Sequence, residues 1–298
     1  MRPLIAALLA WAFAGPAFAH AVAGPERYAW SWDPWITIPL AVGVGLFLGG
    51  WRRLHGRSVH GVDGLRRRGF LFVLGWTVLA GALVSPLHQA GERSFTAHML
   101  EHELLMLAAA PLLVLAEPLG VMLWAFPAAG RRALGRSIRT AALPSLSRRL
   151  TAPVFATLAQ AAALWLGHAP SLFDRALRSD GWHVAQHLSF LITALLFWSA
   201  MLTRRRRNPG VAALCLFATS VVSGALGAMM AFARSPWYAP YSELGMAPLG
   251  LTPMEDQQLA GLLMWAPGGA VHVAAALAVI ATALRPTPDL AAEASHGP

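Results

Sequence analysis

The stretch AHMLEHELLMLAAAPLLVLAEPL, residues 97–119, decides the fold. Its apolar run is long enough to cross a bilayer, and His98 and His102 stand at its start. Residues four apart share one face of a helix, so both imidazoles should point the same way. The stretch therefore predicts a membrane-spanning helix with two imidazoles at one end, and the other helices decide whether further ligands reach the same place.

The composition indicates an all-α, polytopic membrane protein. Of the 298 residues, 56% are hydrophobic and only 12% are charged, about half the charged fraction of a soluble domain. All 23 basic residues are arginines, and most of them lie in short loops between apolar runs, which favours membrane orientation over nucleic-acid binding. The single cysteine, Cys215, excludes an intramolecular disulfide and a CxxC metal motif.

The chain divides into three parts. Residues 1–19 have an apolar centre and end in Ala17-Phe18-Ala19, which predicts a cleaved signal peptide. Residues 20–285 should form a seven-helix transmembrane domain, and residues 286–298 a short, disordered cytoplasmic tail. The seven apolar runs are Trp35–Gly50, Phe70–Leu87, His98–Ala116, Thr151–Gly167, His183–Leu202, Val211–Ala233 and Leu259–Leu284.

The arginines predict the orientation of these helices. Most arginines fall in the first, third and fifth loops and at the start of the tail, and few fall in the alternate loops. By the positive-inside rule the N-terminus lies outside and the C-terminus inside, in agreement with a signal peptide. The inner set comprises Arg52, Arg53, Arg57, Arg66, Arg67, Arg68, Arg131, Arg132, Arg136, Arg139, Arg148, Arg149, Arg204–Arg207 and Arg285.

With this orientation, six histidines lie at the outer ends of four consecutive helices. They are His88, His98, His102, His168, His183 and His187. The last three repeat the first three at offsets of 80, 85 and 85 residues. We therefore hypothesise that the second and third helices and the fourth and fifth helices form a degenerate parallel repeat. His272 lies about 24 Å along the last helix, so we expect it to be a packed core histidine.

The shared depth of these histidines predicts a metal site. A lone interfacial histidine is usually structural, but two His-x-x-x-His pairs with further histidines at the same depth favour a common ion. Neutral imidazole suits copper, zinc, nickel and iron, and a neighbouring thioether such as Met99 favours Cu(I). Carboxylates in this layer, including Glu101, Glu103 and Asp256, could orient the histidines or cap helix starts.

The chain resembles the membrane-integral cytochrome c oxidase assembly factors of the CtaG (caa-type oxidase) family. The resemblance lies in four motifs: His98-Met-Leu-Glu-His102, His168-Ala-Pro, the His183-x-x-x-His187 helix start, and LTPMEDQQLAGLLMWAPGG at 251–269. It implies a bacterial plasma-membrane protein that helps to build a haem-copper oxidase, with oxidase subunits as partners and copper as cofactor. The residues that match the family pattern are His98, His102, His168, His183, His187 and Asp256.

We therefore interpret the chain as a non-enzymatic factor that holds copper at the outer face and passes it to the oxidase. The predicted ligands are the six matching residues, with Met99 and His88 as further candidates, and the other expected contacts are membrane lipid and a periplasmic copper donor. The alternatives are a haem protein that passes electrons and a metal transporter, which would need more polar residues at the membrane midplane than His272 alone. A metalloprotease is disfavoured because HExxH is missing.

Overall fold

A computed structural model of the chain describes residues 29–57, 61–140, 143–203 and 208–284. The predicted signal peptide, the Arg204–Arg207 cluster and the predicted tail lie outside these residues. Within them the chain is helical, and the only β-type pairing is an isolated bridge between Ala247 and Leu251. The all-α prediction is confirmed for the described part of the chain.

Six of the described helices are long and apolar enough to span a membrane, so the protein is a multi-pass membrane protein. These six are α1 (Pro34–His55), α2 (Val62–Val84), α4 (Phe95–Ala116), α10 (Asp180–Leu202), α11 (Pro209–Ala231) and α13 (Pro253–Ala283). Seven short helices connect or flank them: α3 (Pro86–Gly91), α5 (Pro118–Met122), α6 (Ala128–Thr140), α7 (Leu143–Leu150), α8 (Pro153–Gly167), α9 (Pro170–Arg178) and α12 (Ala239–Leu244).

The predicted fourth span is shorter than expected. Helix α8 has 15 residues, about 22 Å at 1.5 Å per residue, against about 30 Å for a hydrocarbon core. Proline sets both limits, because Pro153 starts α8 and Pro170 begins the next helix two residues after His168. The chain nevertheless returns through α8 to the layer where α4 began, since His168 at its end contacts Met99 of α4.

Helix α4 lies at the centre of the bundle. It contributes Met99, Met106 and Ala110 to one apolar core, shared with α8, α10, α11 and α13. It contributes Leu105 and Leu113 to a second core, shared with α1 and α2. The side chains of α4 are therefore placed by neighbours on both sides.

The middle of α4, Leu104–Ala109, is a π-helical turn. The Ala110 N–H donates to Leu105 O, so the next carbonyl, Met106 O, would pair with residue 111. That residue is Pro111, which has no N–H to donate. The Trp198 indole of α10 donates to Met106 O instead, at 2.7 Å. The irregular turn is thus satisfied by the neighbouring helix, and it follows directly after His102 and Glu103.

Helices α11 and α13 approach each other through glycines. A Cβ built on Gly227 would lie 2.7 Å from Gly261 O, and one on Gly261 would lie 2.5 Å from Gly227 O. Only residues without a side chain permit this backbone approach. The close packing holds α13 against the bundle, so that the first turn of α13 reaches the start of α4.

Candidate metal centre

The start of α4 is fixed by α13. Asp256, in the first turn of α13, accepts hydrogen bonds from Ser94 Oγ at 2.9 Å and from the backbone N–H groups of Phe95 and Thr96. The Thr96 hydroxyl donates back to Asp256 O at 2.9 Å. A carboxylate at a helix N-terminus satisfies its free N–H groups and its positive dipole end. The structure thus places Asp256 as a cap for the helix that carries His98 and His102.

Two helices bring four histidines into one group, which we call the histidine quartet: His98 and His102 from α4, and His183 and His187 from α10. The rings of His98 and His183 stack with centroids 5.2 Å apart, and those of His102 and His187 meet edge to face at 4.9 Å. His98, His102 and His187 are buried. The predicted convergence of these imidazoles is therefore observed.

The quartet directs several nitrogen atoms at one small volume. Nε2 of His187 lies 3.0 Å from Nε2 of His102 and 3.2 Å from Nε2 of His183. One ligand nitrogen from each of His98, His183 and His187 lies within 4.8 Å of the others. A copper or zinc ion sits about 2.0 Å from each imidazole nitrogen, so ligands of one ion are about 4 Å or less apart. Small movements of the rings would give three nitrogen ligands to one ion.

Tyr241 of α12 sets the tautomer of His98. The Tyr241 hydroxyl lies 2.6 Å from Gly91 O, to which it donates its single hydrogen. It lies 3.1 Å from His98 Nδ1 and can only accept there, so Nδ1 carries the proton. Nε2 of His98 then has a free lone pair, and this buried atom has no hydrogen-bond partner among the described residues. A partner on Nδ1 with a free Nε2 is the usual arrangement of a metal-binding histidine.

Glu101 lies between the two histidines of α4 and contacts two further histidines. Its Oε1 accepts a hydrogen bond from His88 Nδ1 at 2.9 Å and lies 3.6 Å from His187 Nδ1. The carboxylate is completely buried. A carboxylate behind a histidine orients the ring and makes the opposite nitrogen more basic. Glu101 is thus positioned to support the quartet.

His88, on α3, lies at the edge of the quartet. Its ring stacks on His183 with centroids 5.4 Å apart. Burial alone would lower the pKa of His88, but the hydrogen bond and charge of Glu101 outweigh it, and the pKa is raised above its ordinary value. Gly91 lets α3 lie close to α4, because a Cβ at this position would be 3.3 Å from His98 Cα.

His168 and Met99 form a second pair of donor atoms beside the quartet. His168 Nδ1 donates to Leu164 O at 2.7 Å, so its Nε2 has a lone pair, which faces Met99 Sδ at 3.3 Å. Neither atom has a proton to offer the other. Burial lowers the pKa of His168 to about 4, which keeps the ring neutral at neutral pH. A neutral imidazole facing a thioether is a donor set that suits Cu(I).

A protein-family model for the cytochrome c oxidase caa3 assembly factor (Caa3_CtaG) matches residues 45–286, most of the chain. The chain belongs to this family. The match extends from the second half of α1 past the end of α13, so it includes every residue of the quartet together with His88, His168 and Asp256. No curated protein and no solved structure matched the chain.

For this caa3 assembly factor, sequence reasoning found the histidines and missed part of their surroundings. Glu101 was expected as one of several carboxylates that could orient the histidines, and its spacing of three from His98 places it on the same helix face. Tyr241 could not be found from the sequence, because it lies 143 residues from His98 and contacts it only through the packing of α12. Metal ligation stays a prediction for every residue of the group.

Proposed function

We propose that this protein is a copper-holding assembly factor of a bacterial plasma membrane, which binds Cu(I) in the histidine quartet and delivers it to a haem-copper oxidase. The observation that carries the proposal is the close approach of three Nε2 atoms: that of His187 lies 3.0 Å from that of His102 and 3.2 Å from that of His183. Nitrogen atoms that close need a shared proton or a shared cation. The free lone pair on His98 Nε2 favours the cation.

The neighbouring donors favour Cu(I) over the other metals that bind imidazole. Met99 Sδ faces His168 Nε2 at the edge of the quartet, and thioether sulfur is a soft ligand. Neutral histidines and a neutral thioether leave the charge of the ion uncompensated, which costs less for a singly charged ion than for a divalent ion in a buried site. A donor set that exceeds the needs of one Cu(I) ion would also let ligands exchange during transfer. The proposed role is holding and transfer, with no catalytic step.

The proposed site faces the periplasm. By the positive-inside rule, the arginines of the connections remote from the quartet, such as Arg131 and Arg148, favour a cytoplasmic location for those connections. The quartet, at the opposite helix ends, would then meet copper brought by a periplasmic donor. An oxidase subunit would accept the ion from the same side, consistent with a family whose described role is oxidase assembly.

The test is the copper content of purified protein loaded with Cu(I) under anaerobic conditions. We expect about one equivalent in the quartet of the wild-type protein and loss of that equivalent in His187→Ala. His55→Ala is the matched control, since His55 lies at the far end of α1 and stacks on Trp51 with centroids 4.8 Å apart. Equal copper in wild type and His187→Ala would refute the quartet as the copper site.

A further inference from the structure

A small cavity lies inside the bundle, one helical turn before His168 along α8. It has a volume of about 20 Å³, the space of about one water molecule or one metal ion. Helices α4, α8, α10, α11 and α13 all contribute to its walls. Leu164, whose carbonyl holds His168, lines it as well. The cavity thus lies one helical turn from His168 of the candidate metal centre.

The polar atoms around this cavity are mainly hydrogen-bond acceptors. Glu103 Oε2 and Gln160 Oε1 are buried and have no partner among the described residues. His272 Nδ1 donates to Gly268 O at 2.8 Å, which leaves a lone pair on Nε2. Buried acceptors without donors are costly in a membrane interior, where no bulk water can satisfy them.

The donors in the lining are already used elsewhere. The Thr219 and Ser223 hydroxyls donate to carbonyls four residues earlier in α11, at 2.9 and 2.8 Å. The Trp198 indole donates to Met106 O, and the Gln160 amide donates to Met106 Sδ at 3.2 Å. The hydroxyls therefore offer oxygen lone pairs to the cavity. A space of this size with an excess of acceptors is suited to a cation.

Gly268 allows the carboxylate to reach this position. A Cβ built on Gly268 would lie 2.9 Å from Glu103 Oε2, so any other residue would displace the tip of Glu103. The same glycine carbonyl holds the ring of His272, which stacks on Trp198 with centroids 5.7 Å apart. One position of α13 thus places both of the titratable side chains that line the cavity.

We propose that this cavity is a second, deeper binding site for a soft monovalent metal cation, with Glu103 and His272 as its principal ligands. One carboxylate neutralises one positive charge, whereas a divalent ion would leave net charge in the bundle interior. The thioethers of Met106 and Met264 in the lining favour Cu(I) over alkali cations. The inference rests on the proposed function for the identity of the metal, and its geometry is independent of the quartet.

The test is the stoichiometry of Cu(I) bound by the full-length protein in detergent, measured by mass spectrometry of the metal after gel filtration. We expect two equivalents in the wild type, with Glu103→Gln and His187→Ala each losing a different one. In His187→Ala, X-ray absorption of the remaining copper should show a nitrogen, oxygen and sulfur shell. Removal of the Glu103 charge should weaken the deeper site by about 100-fold or more. Glu117→Gln is the matched control, since Glu117 is an exposed carboxylate paired with Arg68.

Each outcome separates the deeper site from the proposed function. If Glu103→Gln binds as much copper as the wild type while His187→Ala loses it, the deeper site is wrong and the quartet stands. If only Glu103→Gln loses copper, the deeper site stands and the quartet is wrong. Gly268→Ala is a second variant in case Glu103→Gln does not fold: its methyl group would move only the flexible tip of Glu103, and it should lose the same equivalent.

Discussion

Two regions of the bundle have the same order of helices and different chemistry. The first unit, α2–α4, and the second unit, α8–α10, each consist of an apolar helix, a shorter helix and a long helix that begins with two histidines. A further histidine follows the first helix of each unit: His88 in the first and His168 in the second. The two units correspond to the repeat suggested by the histidine spacing.

The histidines that correspond in the two units contact one another. His98 stacks on His183, and His102 Nε2 meets the same atom of His187 at 3.0 Å. Contacts between equivalent atoms are what a two-fold axis between α4 and α10 would produce. This pairing supports the repeat hypothesis.

The units differ in the residues between and around the histidines. At the offset of 85 residues, Glu101 corresponds to Gln186 and Met99 to Val184. Glu101 supports two histidines, whereas the Gln186 amide donates to Gly167 O at 2.7 Å and joins α10 to α8. The first unit therefore supplies the charge and the sulfur, and the second supplies matching imidazoles. Substitutions that make the two units more alike should show which of these differences affect copper binding.

The largest effect on Cu(I) affinity should come from substitutions at the contact between His102 and His187, which occupy equivalent positions in the two units. We expect His102→Ala and His187→Ala to lower the affinity for Cu(I) by a similar factor, about 100-fold or more, since loss of a ligand exceeds the 10–100-fold effect of an outer partner. The measurement is competition against a chromogenic Cu(I) chelator. If one variant lost affinity and the other did not, the shared contact would not be part of the copper site.

A smaller effect on Cu(I) affinity is expected when Glu101 of the first unit is replaced by glutamine, the residue at the corresponding position of the second unit. Glu101→Gln keeps the shape of the side chain and removes its charge, so His88 and His187 lose an anionic partner. We expect a decrease of about 10–100-fold in Cu(I) affinity with the stoichiometry unchanged. Glu92→Gln, at an acidic residue just after α3, is the control for the loss of one negative charge in this layer. Unchanged affinity in Glu101→Gln would mean that the carboxylate is there only for packing.

The exchange of Met99 and its counterpart tests the role of sulfur. Met99→Val gives α4 the residue that α10 has, and it should lower Cu(I) affinity by about 10-fold. Its effect on Zn(II) affinity should be smaller, because zinc has less preference for thioether sulfur. Val184→Met, the reciprocal substitution in α10, is the control, and adding it to Met99→Val should not restore the affinity for Cu(I). Equal losses for both metals in Met99→Val would indicate a change in packing around His168 instead of a lost ligand.

The sequence predicted the parts of this arrangement that depend on periodicity and length. The spacing of His98 and His102, and of His183 and His187, predicted their shared helix faces, and the apolar runs predicted that all four lie at the same end of the bundle. Contacts that depend on how helices pack were not predictable: Tyr241 holds His98 from a distant segment, and Gly268 makes room for Glu103. His272 was expected to be a core histidine, and it does pack on Trp198. Its place beside Glu103 in the lining of a cavity depends on the packing of five helices and was not predictable. Helix α8 is shorter than the sequence predicted because Pro153 and Pro170 limit it to 15 residues.

The smallest effect on Cu(I) affinity should come from substitutions at the starts of α4 and α10, which are capped differently. Asp256 caps α4 with three accepted hydrogen bonds, whereas Ser179, before α10, makes no side-chain cap. Asp256→Asn weakens charge-assisted bonds and should cost about 1–2 kcal/mol of stability, seen as a lower thermal midpoint in detergent. Ser179→Ala should leave the midpoint almost unchanged. Since Asp256 uses its oxygens in the cap, copper affinity should fall only slightly. If Asp256→Asn instead lost copper as strongly as His102→Ala, with an unchanged midpoint, Asp256 would be a ligand and the capping interpretation would be wrong.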